Sequence, residues 1–544
     1  MGVFILLAGK RNIPMKDAIT NGCDVLLIGY EDQENLGLRS IAAFLTGHGV
    51  RAKIEPYDRS LKDNILARIR MENPGIVGFS LIFQRMLFEF ADLMTYLRQN
   101  GVTAHFTVGG HFTSIEFERT LELIPELDSV VRHEGEQTLL ELFHSVDQHD
   151  SWSQIKGLAY RDDGRIKVTP PRPLIQDLDS IPPPVRSGTI TTHRGLGICS
   201  ILGSRGCYYN CSFCSIQEFY GEAPGPKRRS RSPSNIVCEM KQLFSERGIR
   251  IFIFQDDCWC MKGHKHQQWI RDFVRELKKE KISDQILWRI SCRVDDVNAE
   301  LISRMKEVGL MCIYIGIESG SNQGLKTFNK HYAVDDVYKA LGTLRELKMP
   351  FEYGFMIFDP DSTMATVKEN IAFLKEIGRD GQVIAHFCKM VPYAGTSIAR
   401  RLEEEGRLEG TVNSPDYNYN DSRLNLLQLF FSQTFNFRNF DNNGLVERLR
   451  LAKFDAIVLN KFFSDRCDAR AYTQAVRDLT RQSNESALEV MSMAANFMEM
   501  QNEEEILDNW QFLENLAREE KYTEMRIASD LDRLTSRYDF EEGI

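Results

Sequence analysis

Cys207, Cys211 and Cys214 fall within eight residues, in the stretch Ser204-Arg-Gly-Cys-Tyr-Tyr-Asn-Cys-Ser-Phe-Cys214. Three thiolates on one glycine-led loop can converge on a single centre, and their softness suits zinc or iron–sulfur. A structural zinc site wants a fourth ligand in a paired arrangement. No second CxxC follows at zinc-ribbon spacing; Cys258-Trp-Cys260, with His264 and His266 beyond it, is the closest local pair. An ordinary four-iron cluster takes four thiolates. Three thiolates leave one iron open, and an open coordination position marks a reactive site.

The elements that must position this loop follow from apolar patterning. The apolar run over 24–29 predicts a strand buried on both faces. Apolar spacing near 3.6 over 36–48, stopped by Gly49, predicts a helix. Strands at 50–54, 76–81, 103–108 and 130–131 alternate with helices at 61–71, 88–100 and 136–146. This rhythm predicts a parallel sheet covered on both faces over residues 1–150, with ligands at the carboxyl ends of the strands. Residues 157–170 read as a hairpin turning at Asp163-Gly164, and the proline-dense 171–188 as a linker. A hairpin-and-linker segment is therefore expected over 151–190. Strands at 198–202, 249–255, 287–291, 311–317, 351–358 and 383–390 predict a partial (β/α)6 barrel over 191–410. Residues 411–544 read as mostly helical, a cap that would shield the site from water.

Composition sets the outer bounds. The chain has 544 residues, 42% hydrophobic and 26% charged, which excludes wholesale disorder, collagen and coiled coil. A net charge of -10 makes a poor non-specific nucleic-acid or membrane binder. No stretch reaches the roughly 18 apolar residues of a membrane span. The apolar run at 3–8 lacks the flanks of a signal peptide. Twelve cysteines are too sparse for a disulfide scaffold, and a cytoplasmic setting is expected.

CxxxCxxC with Phe213 before its last cysteine, placed after a strand that opens a βα series, resembles the signature of radical S-adenosylmethionine (SAM) enzymes. The resemblance implies that Cys207, Cys211 and Cys214 hold a [4Fe-4S] cluster whose open iron chelates SAM. Cleavage of SAM would give a 5′-deoxyadenosyl radical that abstracts a substrate hydrogen. Downstream strand ends resemble the family's SAM contacts, which implies roles for Phe213, Asp256, Ser291, Arg293, Gly316 and Glu318.

The doubly wound first domain and prolyl linker resemble the cobalamin-binding subclass, over roughly residues 20–410. The loops that would meet cobalamin carry Ser80, Gly109, Gly110, Glu134, Gly135 and Glu136. Asp32 and Glu34 align with the DxHxxG pattern of many cobalamin proteins, with Glu34 where the cobalt-ligating histidine would stand. A lower cobalt face open or bound to water is the consequence. A dinucleotide reading would need GxGxxG after the first strand, and the chain reads Gly29-Tyr-Glu-Asp-Gln-Glu-Asn-Leu-Gly37.

The resemblance implies a cobalamin-dependent radical SAM methyltransferase. One SAM would methylate cobalamin, a second would yield the radical, and an unactivated carbon of a small molecule or natural-product intermediate would take the methyl. Expected partners are that substrate and an electron donor such as flavodoxin or ferredoxin, with no nucleic acid. Two alternatives stand beside it: a cobalamin-binding radical SAM enzyme that cyclises or rearranges its substrate without methylating it, and a zinc-stabilised binding module without catalysis. A methylthiotransferase would need three further cysteines in the first domain, which offers only Cys23.

Overall fold

The computed structural model describes residues 22–31, 34–186 and 188–539. The apolar run at 3–8, Asp32 and the extreme carboxyl terminus lie outside the described residues.

The first domain is one seven-stranded sheet. Its strands are β1 (Val25–Gly29), β2 (Ala52–Pro56), β3 (Ile76–Ser80), β4 (His105–Gly109), β5 (Ser129–Val131), β6 (Leu158–Asp162) and β7 (Arg165–Val168). They lie in the order β2-β1-β3-β4-β5-β6-β7. The first five are parallel, and β6 and β7 add antiparallel. Two apolar cores, one on each face, account for continuous apolar strands such as Val25–Gly29. The hairpin expected between the domains thus extends this sheet. Its two-residue turn places Asp163 at φ 47° and Gly164 at φ 75°, the left-handed pair that matches strand twist.

The second sheet runs β16-β15-β14-β13-β12-β9-β8. Its strands are β8 (Thr191–His193), β9 (Leu196–Ile201), β12 (Ile249–Phe254), β13 (Leu287–Arg293), β14 (Leu310–Glu318), β15 (Phe351–Phe358) and β16 (Cys388–Lys389). The two-stranded β10 (Ser204–Arg205) and β11 (Arg229–Ser230) sit beside the cysteine loop. Six strands are parallel and β8 is antiparallel, so the sheet is an open half-barrel. Local signals set its helices: Ser232 caps helix Pro233–Arg247, Pro233 opens it, and Gly248 at φ 67° ends it. Period-two alternation sends Trp288, Ile290 and Cys292 into the core beneath the outer helices. Arg289, Ser291 and Arg293 therefore face the concave side.

The strand expected over 383–390 shortens to Cys388–Lys389. Side chains from the carboxyl-terminal helices have taken its backbone groups. Asn484 accepts from the Ala385 N–H at 2.7 Å and donates to the Val383 carbonyl at 2.9 Å. Arg438 donates to the Ala385 carbonyl at 2.9 Å, and Asn439 to that of Phe387 at 3.1 Å. Every one of these partners lies in the region after 410.

That region opens with the hairpin β17 (Leu408–Thr411) and β18 (Ser414–Tyr417), then turns helical. Helix Leu445–Phe462 packs Leu449, Ala452 and Ala456 against Ile198, Ile251 and Leu287, closing the concave face from below. Among the described residues no helix is long and apolar enough to cross a membrane.

Candidate functional site

The cysteine loop leaves β9 and is held at many points. Gly206 sits at φ 83°, and a Cβ there would lie 1.8 Å from the Lys227 carbonyl oxygen, so only glycine fits. Its N–H donates to Asp257 at 2.9 Å. Gln217 donates to the carbonyls of Cys207 at 3.0 Å and Tyr209 at 2.7 Å. Ser212 donates through its N–H to the Phe328 carbonyl at 3.2 Å and through its hydroxyl to that of Thr327 at 2.7 Å. Cys207, Cys211 and Cys214 are all half-buried thiols on this strapped loop.

The surroundings suit an anionic cluster. The Arg293 Nη1 lies 3.4 Å from the Cys211 Sγ. The neighbouring Cys258 side chain pulls the Cys207 thiol down to about 7. Soft donors, a rigid loop and a nearby cationic donor fit a four-iron cluster at this position. Among the described residues, no three His, Cys, Asp or Glu side chains gather as ligands for a single ion.

The predicted SAM residues divide into two groups. Phe213, Arg293, Gly316 and Glu318 converge with a residue that carries no motif signal, Lys330. Glu318 ends β14 at a bulge with φ 69°, a strained value for a non-glycine residue. Its Oε1 lies 3.2 Å from the Lys330 Nζ. That ammonium is buried over the Phe213 and Tyr332 rings. A Cβ on Gly316 would lie 2.7 Å from Glu318 Oε1, so glycine opens this corner. Ser291 is half-buried on the same concave face.

Asp256 stands apart. Its carboxylate turns inward, accepting from the Gly203 N–H at 3.0 Å and from the Ser204 hydroxyl. Burial pushes it up to about 6. It holds the entry to the cysteine loop, whereas its neighbour Asp257 opens on the space between the domains.

That space is a cavity of about 790 Å³ at the carboxyl ends of β1, β3, β4 and β5. Its first-domain wall includes Glu34, Ser80, Gly109, Gly110, Glu134, Gly135 and Glu136. The facing wall carries Arg205, Tyr220, Gln255 and Asp257. Gly110 is required by packing, since a Cβ would lie 2.3 Å from the Leu81 carbonyl oxygen. The size, the position at the strand ends and the lining from both domains fit a large flat cofactor lying between them.

Three carboxylates expected at cobalamin line this cavity and are also paired within the protein. Glu34, at φ 57°, accepts from the Ser200 N–H at 2.6 Å and pairs with Arg186 at 3.2 Å and Arg39 at 3.3 Å. Glu134 pairs with Arg229 at 2.8 Å and Arg205 at 3.2 Å, and accepts from the Ile175 N–H. Glu136 pairs with Arg205 at 2.6 Å. All three are struts that bind the first domain to the half-barrel, and Glu34 and Glu134 also bind it to the linker. Local patterning carries no sign of this, because most of the arginines lie far along the chain.

Comparison with known proteins agrees with this architecture. Residues 24–143 match the B12 binding domain, and residues 201–374 match the radical SAM superfamily. An uncharacterized methyltransferase of Pyrococcus horikoshii is 30% identical over 335 residues, 61% of this chain and 70% of that protein. The anaerobic magnesium-protoporphyrin IX monomethyl ester cyclase of Cereibacter sphaeroides is 28% identical over 307 residues, 55% of this chain. The chain spans about half the length of that cyclase (48%). The solved structure of the cobalamin-dependent SAM radical enzyme OxsB, with aqua-cobalamin and SAM bound, superposes with a TM-score of 0.67 at 18% identity. It covers 96% of this chain and 82% of OxsB.

A cobalamin-binding domain fused to a radical SAM half-barrel defines the class. The chain belongs to the cobalamin-binding radical SAM enzyme family, and its cofactors are the [4Fe-4S] cluster, SAM and cobalamin. The zinc-stabilised, non-catalytic module is thereby set aside.

Proposed function

We propose that this enzyme starts a radical cyclisation or rearrangement of a small molecule in the interdomain cavity, without net methyl transfer. Cys207, Cys211 and Cys214 hold the cluster, and Phe213, Arg293, Gly316, Glu318 and Lys330 shape the corner beside it. When bound, SAM and the cluster would supply the hydrogen-abstracting radical, and cobalamin would supply a redox-active metal. An external one-electron donor reduces the cluster.

One observation carries the choice of reaction. His111 and Asp257 both line the cavity. Asp257 is exposed to the cavity and, although Oδ2 accepts the Gly206 N–H, its carboxylate can take a proton from a bound substrate. Ring closure or rearrangement with net loss of two hydrogens gives one as an atom to the deoxyadenosyl radical and releases the other as a proton, and the cluster or the cobalt would take up the remaining electron. Methyl transfer to a carbon-centred radical releases no such proton. The 28% identity to a cyclase supports the same reading.

Methylation of an unactivated carbon is the second reading, favoured by the 30% identity to the archaeal methyltransferase. Incubation with methyl-deuterated SAM and candidate substrates separates the two. The proposed reaction forms 5′-deoxyadenosine with no matching S-adenosylhomocysteine and no label in the product. Stoichiometric S-adenosylhomocysteine with a labelled product overturns it.

A further inference from the structure

Arg293 ends β13 in a setting that goes beyond a SAM contact. The residue is only 7% exposed. Its Nε donates to Asp295 at 3.0 Å, its Nη2 to the Lys330 carbonyl at 2.7 Å, and its Nη1 to the Cys211 Sγ at 3.4 Å. Every guanidinium nitrogen is therefore already engaged by the protein. The guanidinium carbon lies over the Tyr209 ring, 3.6 Å from its centroid, inside the cysteine motif. The Tyr209 hydroxyl is in turn fixed by Asp296 at 2.9 Å. A fork held on three sides and one face cannot swing towards a ligand without breaking these contacts.

We propose that Arg293 is a positioning residue for the cluster: it donates to the Cys211 thiolate and sets the reduction potential. The inference rests on the assignment of Cys211 as a cluster ligand. Reduction adds an electron to an already anionic centre. A hydrogen bond to a ligating sulfur and a buried positive charge beside it both favour the reduced form. Asp295 opposes part of that charge, because it pairs with Arg293 through Nε. Removing Arg293 and removing Asp295 should therefore shift the potential in opposite directions. A residue that only propped up the loop would not give that pattern.

The test uses the full-length protein, reconstituted anaerobically with iron and sulfide, without SAM. Iron and sulfide are counted first, and the cluster potential is then read by EPR-monitored redox titration. Arg293→Gln should move the midpoint to more negative values by at least a tenfold change in the reduced-to-oxidised ratio, about 59 mV for one electron. Asp295→Asn should move it to more positive values. Arg293→Lys keeps the charge without the fork and should fall between Arg293→Gln and the wild type. Adding SAM should still perturb the EPR spectrum of Arg293→Gln. If Arg293→Gln does not hold a full cluster, the Asp295→Asn shift decides alone. Unchanged potentials in fully loaded Arg293→Gln or Asp295→Asn overturn the proposal. So does loss of the SAM-induced spectral change at an unchanged potential, which would make Arg293 a SAM ligand instead. A wild-type protein that takes up no cluster overturns the ligand assignment itself.

Discussion

The Glu34 carboxylate of the first domain accepts the backbone N–H of Ser200, on the first parallel strand of the second domain, at 2.6 Å. One acidic side chain thus joins two sheets at the mouth of the cavity, with Arg186 and Arg39 completing its ring of donors. Glu34→Gln removes the charge from a mostly buried network. It should lower stability by about 2 kcal/mol, seen as an earlier unfolding midpoint with unchanged iron content. An unchanged midpoint would mean that the strut carries no load.

The same contact bears on cobalt. The sequence resemblance sets Glu34 where related patterns place a histidine, and its oxygens are spent on Ser200, Arg186 and Arg39. The EPR spectrum of the protein loaded with cob(II)alamin should show no nitrogen splitting from a protein imidazole. Splitting that changes on 15N-histidine labelling would contradict this.

Asn484 replaces a β-ladder with one side chain. It serves the Ala385 N–H and the carbonyls of Gly378 and Val383, all buried with it. Asn484→Ala leaves three backbone groups without that partner and should cost about 3 kcal/mol. Amide exchange at Ala385 should quicken well beyond that of the β14 core. Native exchange at Ala385 in the variant would show that water or neighbours replace the amide.

Much of the architecture was legible, and the limits have physical causes. The doubly wound rhythm and the cysteine loop rest on local signals, such as the apolar run at β1 and the spacing from Cys207 to Cys214. The strand expected over 383–390 has the right residues. Its backbone is nevertheless claimed by Arg438, Asn439 and Asn484, some 50 to 100 residues later in the chain. Asp256 and Asp257 are indistinguishable by type, and only the direction of the strand end sends one inward and the other to the cavity. Lys330 belongs to no motif; tertiary packing alone brings it beside Glu318.

The carboxyl-terminal helices carry a pH dependence. Burial pushes Glu524 up to about 7, against 4.5 for the free group. Arg438, 3.5 Å away, pulls the other way, while Glu520 adds to the rise and Lys521 opposes it. A carboxyl raised in the folded state binds an extra proton there between these two values. Its stabilising contribution is full below pH 4.5 and is lost as pH rises through 7. Glu524→Gln should therefore flatten the fall in stability between about pH 5 and pH 8 by about 2 kcal/mol. Denaturant unfolding at the two pH values measures it, and an unaltered slope would place the titration elsewhere.

One chain joins a radical-forming cluster to a cobalamin across the interdomain cavity. The most direct measurement is anaerobic reconstitution with iron, sulfide and hydroxocobalamin, with metal analysis and 5′-deoxyadenosine formation read on the same sample after SAM and reductant are added. A four-iron cluster, one bound cobalamin and deoxyadenosine are expected. The Cys207→Ala, Cys211→Ala, Cys214→Ala triple variant should fold and keep cobalamin but lose iron and SAM cleavage. A protein that binds no iron, or a triple variant that still cleaves SAM, would contradict it.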